Sequence, residues 1–162
     1  MGKIFNKLYV LLLVILVTGC ASNAPKFNEV KVDFPAVDSS NGRVYLYRPS
    51  KFMGGGYTPQ IFLNDINVGK LESGSFFFID RPEGEYSIDS GNGDTRPSDP
   101  ENYLKFSLAK GETKYIKFTF AKVGVALFLV KVASPVVHPE IVTKEIALVD
   151  LSEVSYISSS AE

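Results

Sequence analysis

From Arg43 to Ile88 the chain reads RVYLYRPSKFMGGGYTPQIFLNDINVGKLESGSFFFIDRPEGEYSI. Short apolar runs are cut every few residues by Pro, Gly, Asn, Asp or Ser. A helix with so few residues between breaks would not stabilise itself in water. Alternation with a period of two puts successive side chains on opposite faces of a strand. The stretch is therefore a series of short strands and turns. Val44–Tyr47 forms the first strand, with Arg43 and Arg48 at its ends and Pro49 stopping it, because Pro removes a ladder donor. Ser50–Pro59, with its three glycines, is a loop. Gln60–Leu63 and Ile66–Leu71 form a hairpin about Asn64-Asp65. The continuous run in Ser75–Asp80 suggests burial on both faces. Arg81-Pro82-Glu83-Gly84 is a turn, with Pro setting φ and Gly free to take φ > 0. Glu85–Ile88 begins the return strand.

The pattern continues to near the C-terminus. Ser90–Asn102 is a long polar loop. Tyr103–Leu108 and Tyr115–Phe120 alternate cleanly on either side of a turn at Lys110-Gly111-Glu112. Val125–Val132 reads as a buried strand after a turn at Lys122–Gly124. Pro139–Val149 reads as a helix, with Pro139 in its first turn and Val142, Ile146 and Val149 on one face. Its Ile, Val and Thr favour strand, so both readings stand. Val154–Ile157 adds a last short element. The expected fold is mostly β: an antiparallel β-sandwich of about 7–8 short strands with one short C-terminal helix. It occupies residues 43–157, and residues 158–162 form a frayed tail. Twelve Phe and eight Tyr suit such a pleated, half-buried surface.

The first twenty residues belong to something else. Lys3 and Lys7 form a positive n-region, Leu8–Val17 is an apolar run of about ten residues, and small residues precede Cys20. The run is half the length of a bilayer span. Val17-Thr18-Gly19-Cys20 resembles the lipobox of bacterial lipoproteins. That resemblance implies a signal peptide over 1–19, cleavage between Gly19 and Cys20, and a diacylglyceryl thioether on the Cys20 sulfur. It also implies acylation of the new N-terminus. Two or three chains hold a protein to a bilayer far more firmly than one. Ala21, which is not Asp, favours the outer membrane's inner leaflet in a Gram-negative cell. Residues 20–42 read as the lipidated Cys and a flexible tether, polar and interrupted by Pro25 and Pro35. Glu29–Phe34 alternates enough to form a short edge strand instead.

A second resemblance lies in the β region. Arg43–Ser50, Ile61–Asp65 with Val68–Leu71, Gly74–Phe78, Pro82–Tyr86 and Lys110–Ile116 are similar in order and spacing to the DUF2846 family of bacterial envelope lipoproteins. The Pro82-x-Gly84-x-Tyr86 turn is shared with PEGA-like and transthyretin-like sandwich domains, which are largely non-catalytic. The resemblance implies a fold and a location, and no mechanism.

Candidate chemistry is sparse. Cys20 is the only Cys and His138 the only His, which excludes zinc sites built from those ligands. No G-x-S-x-G frame surrounds a serine. Asp89–Asp94 with Asp99 and Glu101 offers oxygen ligands but does not fit a calcium loop. We expect no catalytic residues, no metal and no cofactor. The loop Ser50–Pro59 is the candidate recognition edge, through Arg48, Phe52, Met53 and Tyr57. Arg48 and Arg81 also fit surface ion pairs. The chain carries 17 basic and 18 acidic residues, and 15 against 18 once Lys3 and Lys7 leave with the leader. That balance excludes a nucleic-acid footprint. The expected protein is lipid-anchored in the cell envelope, non-catalytic, and binds an envelope protein or polymer. The alternatives are an envelope hydrolase with an unrecognised active site and a mainly structural lipoprotein.

Overall fold

The computed structural model describes residues 24–50, 56–91, 103–120 and 137–160. Nine strands run in chain order: β1 Asn41–Arg48, β2 Gln60–Leu63, β3 Ile66–Lys70, β4 Ser75–Pro82, β5 Gly84–Gly91, β6 Leu104–Leu108, β7 Thr113–Phe120, β8 Val137–Val142 and β9 Ser155–Tyr156. Helix α1, Phe27–Val30, precedes them, and helix α2, Lys144–Leu151, lies between β8 and β9. One sheet has the order β8-β7-β1-β4-β9 and the other β3-β2-β5-β6.

The expected architecture is corrected in two respects. There are nine strands among the described residues, and the five-stranded sheet is mixed. β1 pairs antiparallel with β4 but parallel with β7, Tyr45 opposite Tyr115. β9 pairs parallel with β4. Alternation identifies the face each residue takes but not the neighbouring strand, so this pairing is invisible to a period-2 reading.

Both faces of the five-stranded sheet are covered. Val44, Leu46, Phe77, Ile79, Ile116 and Phe118 meet Ile61, Leu63, Val68, Ile88, Phe106 and Leu108 of the four-stranded sheet. On the outer face Tyr45, Tyr47, Phe76 and Tyr115 pack with Phe27 of α1 and with Ala147 and Leu151 of α2. The run Phe76-Phe77-Phe78-Ile79 therefore alternates between two apolar layers, as its continuity suggests. Each such side chain contributes about 1.5–3 kcal/mol when fully withdrawn from water.

The turns follow local chemistry. Asn64 and Asp65 have φ of 44° and 72°, the two positive values a tight two-residue hairpin requires, supplied here without glycine. In β3 a bulge shifts the register between Ile61 and Phe62 and leaves Val68 as the extra residue. Gly69 follows it at φ 149°. Gly111, at φ 69°, makes the β6–β7 turn as expected.

Pro82-Glu83-Gly84 differs from its expectation. It carries the chain from one sheet to the other, since Pro82 pairs with Asn41 and Gly84 with Leu108. Gly84 does not use positive φ. The Tyr86 hydroxyl donates back to the Pro82 carbonyl at 2.8 Å, and its ring stacks on Phe106. The Pro-x-Gly-x-Tyr spacing thus reads as a stapled corner.

Pro139 lies in β8 opposite Phe118, not in a first helical turn. β8 is an edge strand, where the missing donor costs least. The helix starts later, at Lys144, and turns Ala147 and Leu151 inward. Ile146 and Val149, which helical spacing places together with Val142, are exposed. Much of the segment read as a flexible tether is seated on the domain. Phe27 is buried, and Val30 and Phe34 pack on the outer apolar layer. Glu29–Phe34 is helix and turn, not an edge strand. The strand expected at Val125–Val132 lies outside the described residues.

Candidate functional site

The two described members of the expected recognition edge meet at the base of its loop. Arg48 is the last residue of β1, and Pro49 turns the chain away there. Its side chain is turned inward and is 2% exposed. Nη1 donates to the Tyr57 carbonyl at 2.5 Å and to the Leu71 carbonyl at 3.2 Å. The Tyr57 ring packs on the core between the sheets, and its hydroxyl donates to the Gly91 carbonyl at 3.4 Å. Burial lowers the guanidinium pKa and raises that of the Tyr57 phenol. Arg48 is thus a buried staple that gathers three chain segments. The sequence reading placed this side chain at the surface, and it is buried instead. Flanking Pro and polar residues suggested exposure, but the carbonyls of Tyr57 and Leu71 that accept from the guanidinium come from distant segments, and spacing cannot signal those. Phe52, Met53, Gly19 and Cys20 lie outside the described residues.

The other candidates separate. His138 sits in β8 opposite Thr119, half-buried. Asp89 is buried in β5 opposite Phe62, and the Ser90 hydroxyl donates to the Val137 carbonyl at 2.5 Å. The rest of that oxygen-rich loop lies outside the described residues. Arg81 donates to the Asp80 carbonyl at 2.9 Å. Among the described residues no three His, Cys, Asp or Glu side chains are placed to hold a metal ion.

Two polar clusters emerge that the sequence does not announce, because their members lie far apart in the chain. Arg43 forks onto Asp80, Nε to Oδ1 and Nη2 to Oδ2, both at 2.7 Å. Nη2 also donates to the Pro35 carbonyl at 2.8 Å, and the guanidinium lies 4.1 Å from the Phe78 ring centre. This cluster pins the N-terminal segment to β1 and β4. On the outer face the Tyr47 hydroxyl donates to Asp150 Oδ2 at 2.9 Å, and Lys117 Nζ reaches the same oxygen at 2.9 Å. That cluster latches α2 over β1 and β7.

These phenols make a pH prediction. Burial, reinforced by the Asp150 carboxylate, holds the Tyr47 phenol far above its ordinary value. Burial also raises Tyr115 and Tyr57. Above about pH 10 the unfolded chain releases these protons while the folded chain keeps them. The unfolded state then binds fewer protons, so stability falls as pH rises from about 10 toward the folded values. Below about pH 10 the contribution is complete. Thermal midpoints should drop steeply on the alkaline side, and less steeply in Tyr47→Phe. An unchanged slope in that variant would remove Tyr47 from the account.

A shallow depression of about 300 Å³ lies along β7 and β8, lined by Glu112, Thr113, Lys114, Tyr115, Ile141 and Lys144. Lys114 is engaged with Glu112 at 2.7 Å. Ile141 in its lining is 46% exposed, and Ile146 and Val149 on the outer side of α2 are 50% and 70% exposed. Among the described residues β8 is the outermost strand of its sheet, so the depression offers an apolar footing beside that strand.

A family model described as "Protein of unknown function (DUF2846)" matches residues 38–128. The match takes in β1 to β7, the stapled corner and Arg48. No curated protein and no solved structure matches the chain.

Proposed function

The chain belongs to the DUF2846 family, whose description carries no activity, and from its own residues we propose a lipid-anchored lipoprotein of the bacterial cell envelope. Its domain, read as a β-sandwich with a covered outer face, is a non-catalytic interaction module at the periplasmic face of a membrane. The outer membrane's inner leaflet is favoured by Ala21. The leader supports the anchor: Lys3 and Lys7, the apolar Leu8–Val17 and the Val17–Cys20 motif stand in register. One observation carries the interaction reading. Strand β8, outermost in its sheet among the described residues, exposes Ile141 in the lining of the depression, and the outer side of α2 exposes Ile146 and Val149. Exposed apolar side chains on both an edge strand and a helix fit a protein partner better than a polar polymer.

A single experiment tests both parts. Cells fed an alkynyl fatty acid carry the full chain with a photo-cross-linking residue at position 146 or, for comparison, at Lys110. We expect alkyne label on the protein, lost in Cys20→Ala. A discrete adduct should form from position 146 and not from position 110, and Val149→Glu should abolish it. Label retained in Cys20→Ala overturns the anchor. Equal adduct patterns at the two positions overturn the interaction surface.

A further inference from the structure

We infer that the anchored protein lies with the β9 edge of its five-stranded sheet against the lipid bilayer, held there by a linker of only four residues. This rests on the lipid anchor proposed above and gives it a geometry.

The chain is fixed to the domain from Pro25 onward. The Tyr156 amide donates to the Pro25 carbonyl at 2.8 Å, and the Phe27 amide to the Val154 carbonyl at 3.3 Å. Lys26 and Ser155 form an antiparallel bridge beside β9. Phe27 is 5% exposed and stands edge-on to Phe76 and Tyr45, with centroids 5.4 and 5.8 Å away. Phe34 packs on Phe78 at 4.7 Å and on Tyr156 at 5.3 Å. Pro35 is then held by Arg43. Only Ala21–Ala24 separate this seated strap from Cys20. At the extended limit per residue, Cys20 and Pro25 are no more than about 18 Å apart. A free tether from Cys20 to Asn41 would instead stretch to about 75 Å, with a root-mean-square span of about 25 Å.

The strand order fixes the sides. β9 and β8 are opposite edges of the five-stranded sheet. Four strand spacings set them about 19 Å apart. A short linker seated along β9 places that edge nearest the lipid and turns β8, the opposite edge, away from it. The strap does not hold the bilayer by charge, since Lys26 and Lys31 are balanced by Glu29 and Asp33 around the exposed Val32. Linker length does the holding.

The test uses the full lipidated chain in vesicles that contain a gadolinium-chelating headgroup lipid. Cys20 is the only cysteine and is blocked by acylation, so a spectroscopic label goes only to an introduced thiol. One variant carries Ser158→Cys, just beyond β9, and the other Glu140→Cys in β8; both positions are exposed. Ser158 is remote in sequence from the anchor, so its proximity to lipid reports the domain and not the linker. Relaxation by the lipid chelate should be several-fold stronger at position 158 than at position 140. Equal relaxation, with the protein floating with vesicles and its Cys20 thiol blocked, overturns the orientation and leaves the anchor standing. A Cys20 thiol that takes up maleimide in the unfolded, unsubstituted protein overturns the anchor and this inference with it.

Discussion

Asp80→Ala should destabilise the domain by about 3 kcal/mol in denaturant titrations. Arg43 is 5% exposed and depends on the Asp80 carboxylate for two of its hydrogen bonds. That carboxylate holds the guanidinium pKa above its ordinary value, and an arginine stays charged at neutral pH even without such a partner. The Pro35 carbonyl and the Phe78 ring remain, but neither neutralises a buried cation. The Asp80 side chain is 24% exposed, which keeps the loss near the lower end for a broken buried pair. Replacing both partners, Arg43→Met with Asp80→Leu, should recover most of the loss, because no charge is then stranded. A cost below about 1 kcal/mol for Asp80→Ala would mean that the pair behaves like an exposed one.

Phe77→Ala should cost about 3–5 kcal/mol, a large share of a domain's usual stability. Phe77 is fully buried between the sheets, beneath the β3 bulge. Its ring also explains Gly69. A Cβ at that glycine would stand 3.0 Å from Phe77 Cζ, on a backbone at φ +149°. Gly69→Ala therefore combines backbone strain with overpacking, each about 1–3 kcal/mol. Phe77→Leu removes the obstructing ring edge but leaves the strain. The second substitution should thus be milder in the Phe77→Leu background than in the natural chain. Strict additivity would show that the ring and the glycine do not interact.

The parts of the fold that follow from local chemistry are legible in the sequence. Asn64-Asp65 sits between two apolar runs and makes the hairpin; Gly111 makes the turn between β6 and β7. Phe76 to Ile79 is apolar throughout and is buried on both faces. What escapes is decided by partners distant in the chain. Arg48 looks like a surface residue because its acceptors, the carbonyls of Tyr57 and Leu71, leave no side-chain signature. The parallel match of β1 with β7 rests on which strand arrives beside which, and alternation is the same for either neighbour. The N-terminal strap carries a signal that competes with another. Phe27, Val30 and Phe34 fall at helical spacing, while Glu29 to Phe34 alternates with period two, and the tertiary contacts of Phe27 select the first. In α2 the helical spacing of Val142, Ile146 and Val149 is a misleading stripe, because Val142 belongs to the preceding strand. For the proposed anchor, the only signal is in the sequence, at Lys3, Lys7, Leu8–Val17 and Cys20. The exposed β8–α2 surface becomes visible only once Ala147 and Leu151 take the inward side of the helix.

The parallel pairing of β1 with β7 also sets an order of events during biogenesis. β1 is the central strand of its sheet, yet one neighbour is β4 and the other lies about seventy residues downstream. The strap nearest the N-terminus finds its partners, Val154 and Tyr156, only when almost the whole chain is present. Contacts so distant in sequence form on the order of milliseconds to seconds after the chain is complete. If the chain is threaded across a membrane from its N-terminus, as the proposed anchor requires, it cannot close this sheet while the threading continues. Late closure would then keep it unfolded during passage, with the strap seating late.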